Sequence, residues 1–184
     1  MHAFFRRYLP ALVICFAAVF AVAQEDAIEW RFQAKHGNVV LTGNPLGQAS
    51  RSAFYAARGF SAETIRPYAQ ACGFSFGMQN GGHQTLTTQL TDWVAIGADG
   101  ESIPLRLPEA WDTQWEKDGV SPSARIAFRW AQFQTANTFE PGDWIMGMAT
   151  FESMPAAPFR LVARFHDNKG NHEIVLDKLE CARD

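Results

Sequence analysis

Residues 72–78 read CGFSFGM, and this alternation of larger and smaller side chains decides the fold. In an extended chain the larger side chains, beginning with Cys72, share one face and the small ones fill the other. A period of two predicts a β-strand with one face in the core. Residues 80–82 read NGG, which predicts a turn directly after this strand.

The same period recurs along most of the chain, with turn residues between the segments. Further strands are predicted at residues 28–34, 39–42, 124–133 and 144–151, and hairpins at residues 93–107 and 159–179. In the segment 124–133, Ile126, Phe128 and Trp130 would share one side and Arg125 and Arg129 the other. In the segment 144–151, Met146 and Met148 fall on the same face as Trp144, which favours packing in the core.

Helical patterns are scarce. Ser61 can cap a short helix at residues 62–66, which Pro67 is expected to limit. A second helix is predicted at residues 108–117, where Trp111 and Trp115 lie four residues apart on one face.

Seven or eight short strands with turns between them predict an all-β fold, an antiparallel β-sandwich with one or two short helices. A small closed β-barrel is the alternative. The 15 Phe and six Trp residues can fill such a core. Residues 139–144, FEPGDW, resemble the corner between two strands in immunoglobulin-like domains, where an aromatic residue follows Pro-Gly-Asp. This resemblance implies an immunoglobulin-like sandwich.

The first 23 residues have the pattern of a cleaved signal peptide. Arg6 and Arg7 precede an apolar run at residues 9–22, and small residues close the segment at residues 21–23. The run is shorter than the roughly 20 residues a membrane-spanning helix needs. We therefore predict a periplasmic or secreted protein whose residues 24–184 form a single domain without a membrane span.

Removal of that segment changes the cysteine count and the charge. Cys72 and Cys181 remain, and an even pair in an exported chain predicts one disulfide. The remaining 14 basic and 19 acidic residues give a net charge of −5. Nucleic-acid binding requires a basic surface, so it is not expected. No cofactor signature occurs.

Three groups of residues are candidates for a site. Trp111 and Trp115 can stack on sugar rings if exposed, or can pack in the core. They lie among carboxylates that could serve a polysaccharide hydrolase: Glu109, Asp112 and Glu116. Arg125 and Arg129, with Arg160 and Arg164 on another strand, would form an anion-binding patch if the two strands were neighbours.

The third group lies at the last turn. His166 and His172 flank it with Asp167 close by, and two imidazoles and a carboxylate could hold zinc or copper if they faced each other. The main hypothesis is a non-enzymatic exported β-sandwich with a structural role or one in binding a protein, peptide or glycan. A hydrolase and a metal-handling protein are the alternatives.

Overall fold

The computed structural model describes residues 30–183, and these form ten β-strands and four α-helices. The strands are β1 (Phe32–His36), β2 (Val39–Pro45), β3 (Gly73–Asn80), β4 (Leu86–Gln89), β5 (Val94–Ile96), β6 (Ser102–Arg106), β7 (Ala136–Phe139), β8 (Trp144–Phe151), β9 (Phe159–Asp167) and β10 (Gly170–Leu179). The helices are α1 (Gln48–Ala56), α2 (Ala62–Gln70), α3 (Pro108–Lys117) and α4 (Pro122–Ala131). The predicted signal peptide lies outside the described residues.

The strands form two layers of one antiparallel sheet. The first layer runs β1-β2-β3-β8-β6, and the second contains β5, β9, β4 and β7, with β10 on the other side of β9. Strand β6 passes between the layers, because Ser102–Pro104 pairs with β5 and Leu105–Arg106 pairs with β8. The all-β sandwich-like fold is therefore confirmed. Over residues 30–183 the sheet is not closed into a barrel, so that alternative is wrong.

The main core lies between the two layers. The alternating face of β3 that the sequence predicts contributes Phe74 and Phe76, which stack with ring centroids 5.4 Å apart and are fully buried. Phe151 and Phe159 close the same core from β8 and β9. The predicted disulfide is present: Cys72 and Cys181 are bonded, with their Cα atoms 5.3 Å apart.

A second apolar cluster joins the four helices to the outer face of the first layer. Its buried rings belong to Tyr55, Tyr68, Trp111, Trp115 and Phe128. Two contacts fix the helices to β8: the Trp111 indole donates to Thr150 Oγ1 at 2.9 Å, and the Tyr55 hydroxyl lies 3.5 Å from Met148 Sδ. The helices thus cover the half of this face that contains Met148 and Thr150 and leave the other half uncovered.

The strand predicted at residues 124–133 is wrong, because this segment forms α4. Ser121 caps the helix by accepting from the Ala124 N–H, and Pro122 occupies its first turn. Phe128 faces the second cluster, whereas Ile126 and Trp130, four residues apart, face solvent. The apolar side chains of this segment fit both the period of two of a strand and the period of 3.6 of a helix. The capping residue Ser121, followed by Pro122, favours the helix.

Two other helical predictions differ in extent. Helix α2 begins after Ser61 as expected but continues through Pro67 to Gln70. Pro67 has no N–H to donate to the Glu63 carbonyl, but the helix continues past it, and the Pro67 carbonyl accepts from the Ala71 N–H at 3.2 Å. The fold has four helices instead of the one or two expected, since α1 and α4 are added to the two predicted segments. The strand predicted at residues 28–34 is found as β1 at Phe32–His36, and residues 28–29 lie outside the described residues. The other predicted strands and hairpins are found close to their expected bounds.

Candidate ligand-binding surface

Trp111 and Trp115 do not offer a face to a sugar. Their exposed fractions are 2% and 0%, and their rings stack on each other with centroids 5.7 Å apart. The Trp115 indole donates to the Thr64 carbonyl at 3.3 Å. Both side chains are therefore core residues of the helical cluster, which is the other interpretation that the sequence allows.

Arg125 and Arg129 hold two helices together and do not form an open anion site. Arg125 Nε and Arg129 Nη1 each lie 2.8 Å from a different oxygen of Asp112, and Arg125 also reaches Glu116 at 2.8 Å. Burial raises the pKa of Asp112, but hydrogen bonds and positive charge from both arginines outweigh it, so this pKa lies below its ordinary value. These contacts join α3 to α4.

The four arginines do not form one patch, because they lie on different elements. Arg125 and Arg129 are on α4, whereas Arg160 and Arg164 are on β9 of the second layer. Arg164 pairs with Glu173 at 2.8 Å across the last hairpin.

Two of the three candidate carboxylates, Glu109 and Asp112, line a cavity of about 660 Å³, and Glu116 does not. Glu109 accepts a hydrogen bond from the Thr135 hydroxyl at 2.6 Å, and Asp112 is held by its two arginines. A glycosidase requires one carboxyl group with a raised pKa as the proton donor. The lowered pKa of Asp112 does not suit it to the role of proton donor.

The histidines of the last hairpin do not face each other. His172 is paired with Phe165, and His166 with Asn171, because the turn has one residue fewer than a three-residue loop. A shift of one residue moves a side chain to the opposite face of a sheet. His172 Nε2 lies 2.8 Å from Asp167 Oδ1, and no group of three or more potential ligands in the described part of the chain could hold a metal ion. The condition for a metal site at His166 and His172, that they face each other, is therefore not met.

The uncovered half of the outer face contains a different set of aromatic residues. Trp144 and Met146 project from β8 with exposed fractions of 61% and 44%. Trp130, at 86%, lies beside them at the end of α4, and Trp30 lies at the start of the described chain. We call Trp30, Trp130, Trp144 and Met146 the tryptophan face. The prediction that Trp144 and Met146 pack in the core is wrong.

Trp144 separates two shallow grooves on this face. The first, of about 360 Å³, lies between Trp30 and Trp144 over the outer surface of β2 and β3. The second, of about 390 Å³, lies between Trp144 and Trp130. A ligand that occupies both grooves would have to pass over the Trp144 ring.

Gly77 forms the floor of the first groove. A Cβ atom there would lie 2.6 Å from Thr42 Oγ1 and 3.1 Å from the Trp30 ring. The absence of a side chain at Gly77 therefore lets the Trp30 ring approach the sheet closely. Thr42 is itself fixed, because its hydroxyl donates to the Gly77 carbonyl at 3.2 Å.

The exposure of Trp130 can be predicted from the sequence, but that of Trp144 cannot. Ser121 followed by Pro122 marks a helix start, and helical spacing from Phe128 places Trp130 on another side. Trp144 alternates correctly with buried residues on its strand. Only the extent of the helical cover on the sheet, which depends on tertiary packing, leaves it exposed.

Comparison with known proteins yields a distant structural likeness. No family model matches the chain, and no curated protein matches it. A solved structure, the yjhA protein from Bacillus subtilis, superimposes with a TM-score of 0.40 and 13% sequence identity, over 71% of this chain and 76% of that one. Within residues 30–183, no helix has the length and apolar character needed to cross a membrane.

Proposed function

We propose that this chain is an exported, non-enzymatic binding protein that holds its ligand on the tryptophan face. The observation that carries the proposal is the exposure of Trp130 and Trp144 beside two grooves on an otherwise well-packed sandwich. Exposing large aromatic side chains is costly, and contiguous apolar surface of this kind commonly marks a binding site.

The rest of the molecule supports a binding role. The disulfide between Cys72 and Cys181 suits an oxidising compartment such as the periplasm or the cell exterior. Strand β3 is paired with β2 on one side and with β8 on the other, so the floor of the first groove is a rigid surface. A preformed rigid surface lowers the entropic cost of binding.

The proposal is tested by titrating the protein with one probe from each of four ligand classes. These are a neutral hexasaccharide (cellohexaose or maltohexaose), an alginate oligomer, a proline decamer and phosphatidylcholine vesicles. Calorimetry and tryptophan fluorescence report binding. We expect at least one class to bind, and the Trp130→Ala/Trp144→Ala double variant to weaken that binding at least tenfold.

Met154→Ala is the matched control, because Met154 is 59% exposed and lies in neither groove. It should bind as the unmodified protein does. Thermal unfolding of each variant separates lost binding from lost structure. If no probe binds, or if the double variant binds equally well, the proposed function is wrong.

A further inference from the structure

The residues that line the two grooves share one property: none of them carries a charge. They are Trp30, Val40, Thr42, Gly77, Met78, Gln79, Gln134, Asn137, Ile145, Met146, Gln132, Trp130 and Trp144. A site for an anion or a cation normally presents the opposite charge, since desolvating an unpaired ionic group is costly. The ligand that complements these grooves is therefore uncharged.

The grooves do present unused hydrogen-bonding groups beside the flat rings. The side-chain amides of Gln79 and Gln134 make no hydrogen bond within residues 30–183, and neither do the indole N–H groups of Trp130 and Trp144. Each primary amide offers two donors and one acceptor oxygen. The surface thus combines apolar planes with a rim of neutral donors and acceptors.

Two other uncharged or apolar partners fit this surface less well. Binding to a lipid surface generally uses basic residues around the apolar ones, and the groove linings contain none. Extended peptides commonly add to a free strand edge through main-chain hydrogen bonds. Strand β3 is paired on both sides, and the second edge of β8 is unpaired only at residues 144–147, which offers a peptide at most four residues of main-chain pairing.

We propose that the ligand is a neutral polysaccharide chain that crosses Trp144 and occupies both grooves. This inference rests on the proposed function and names its ligand class. The apolar C–H faces of successive sugar rings pack on Trp30, Trp144 and Trp130. The hydroxyl groups at the ring edges exchange hydrogen bonds with Gln79 in the first groove and Gln134 in the second.

The experiment compares neutral oligosaccharides of increasing length with the other three probe classes. Cellohexaose, maltohexaose and laminarihexaose are titrated beside their disaccharides. Because a disaccharide is too short to use both grooves fully, we expect the preferred hexasaccharide to bind about tenfold more tightly. Its affinity should be unaffected by added salt, since screening acts only on charges.

Single substitutions then test which side chains contact the oligosaccharide. Trp144→Ala should weaken hexasaccharide binding about tenfold and remove the length dependence. Gln79→Ala and Gln134→Ala should each weaken binding about threefold to tenfold, the range for loss of one or two neutral hydrogen bonds. Gln89→Ala is the matched control, because Gln89 is exposed on β4 of the other layer.

The outcomes separate the two proposals. Binding of the proline decamer, the vesicles or the alginate oligomer through the tryptophan face, without neutral glycan binding, would overturn the glycan inference and leave the proposed function standing. Glycan binding that Trp144→Ala does not change would also overturn it. If none of the four classes binds, both proposals are wrong.

Discussion

The six tryptophans form an inner and an outer group of three, which differ in exposure and in whether the indole N–H has a hydrogen-bond acceptor. The inner group, Trp93, Trp111 and Trp115, is at most 2% exposed. Each inner indole N–H has an acceptor: Thr88 Oγ1 at 2.8 Å, Thr150 Oγ1 at 2.9 Å and the Thr64 carbonyl at 3.3 Å. The outer group, Trp30, Trp130 and Trp144, makes no indole hydrogen bond within residues 30–183.

The difference shows how to separate structural from functional aromatic residues. A buried indole must satisfy its N–H, because an unpaired buried donor costs about 1–3 kcal/mol. An indole that lies on the surface has no such requirement and leaves its donor available to a ligand. Burial of the ring and pairing of its N–H together predict which tryptophans stabilise the fold.

The largest expected contrast is between Trp115→Ala and Trp130→Ala. Trp115 is fully buried and contacts Phe128 with ring centroids 4.3 Å apart. Its removal leaves a large cavity and should lower the free energy of unfolding by about 3–5 kcal/mol. Trp130→Ala should change it by less than about 0.5 kcal/mol. Urea denaturation measures both, and equal losses would contradict the division into two groups.

Removing the disulfide should lower the stability of the fold, which the inner tryptophans support, and should leave ligand binding by the outer tryptophans unchanged. Cys72 and Cys181 are 109 residues apart, and closing a loop of this length stabilises the fold by about 2–5 kcal/mol. The Cys72→Ala/Cys181→Ala variant should therefore unfold at lower urea concentration. Its affinity for any ligand of the tryptophan face should be unchanged while it is folded. A loss of affinity in the folded variant would show that the bridge shapes the site.

Replacing tryptophan by phenylalanine isolates the role of the indole N–H. Trp93→Phe removes a donor that contacts Thr88 and the Arg164 carbonyl and leaves a small void, so it should cost about 1–3 kcal/mol. Trp144→Phe keeps an aromatic plane at a position 61% exposed and should be nearly neutral for stability. Chemical denaturation of both variants tests this, and a stability loss for Trp144→Phe would indicate a structural role for that ring.

The sequence predicts the sheet better than it predicts the site. Alternation over residues 72–78, the hairpin turns and the paired cysteines are local or compositional signals, and the sandwich and the disulfide follow from them. The face of β8 that contains Trp144 and Met146 alternates in the same way as a core face. Its exposure depends on where the helical cluster stops, near Met148, and no local pattern encodes that limit.

The errors at the other candidate sites have equally specific causes. A three-residue last turn would place His166 opposite His172, but the turn has two residues, Asn168 and Lys169, and this shift of one residue puts the two side chains on opposite faces. Arg125 and Arg129 were placed on a strand because side chains at residues 124–133 fit both periods. In each case a single turn or cap decides the geometry, and the side chains alone do not.

The smallest expected change in stability comes from removing the ion pairs between helices α3 and α4. Helix α3 contains Trp111 and Trp115, helix α4 contains Trp130, and Asp112 on α3 pairs with Arg125 and Arg129 on α4. Asp112 is largely shielded, but Arg129 is about half exposed, so solvent screens part of the interaction. Asp112→Asn should therefore lower the unfolding temperature slightly at neutral pH.

The lowered pKa of Asp112 predicts how the stability difference between the unmodified protein and Asp112→Asn changes with pH. Because the pKa of Asp112 is lower in the folded protein than its ordinary value of 3.8, the carboxylate stabilises the fold above that value. The stabilisation is lost as the pH falls through the folded pKa. Thermal unfolding between pH 7 and pH 2 should show a constant gap between the unmodified protein and Asp112→Asn down to about pH 5, and a closing gap below about pH 4. A gap that does not narrow at all between pH 5 and pH 2 would mean that Asp112 joins the helices through packing, and Trp130 would then owe its position to contacts other than charge.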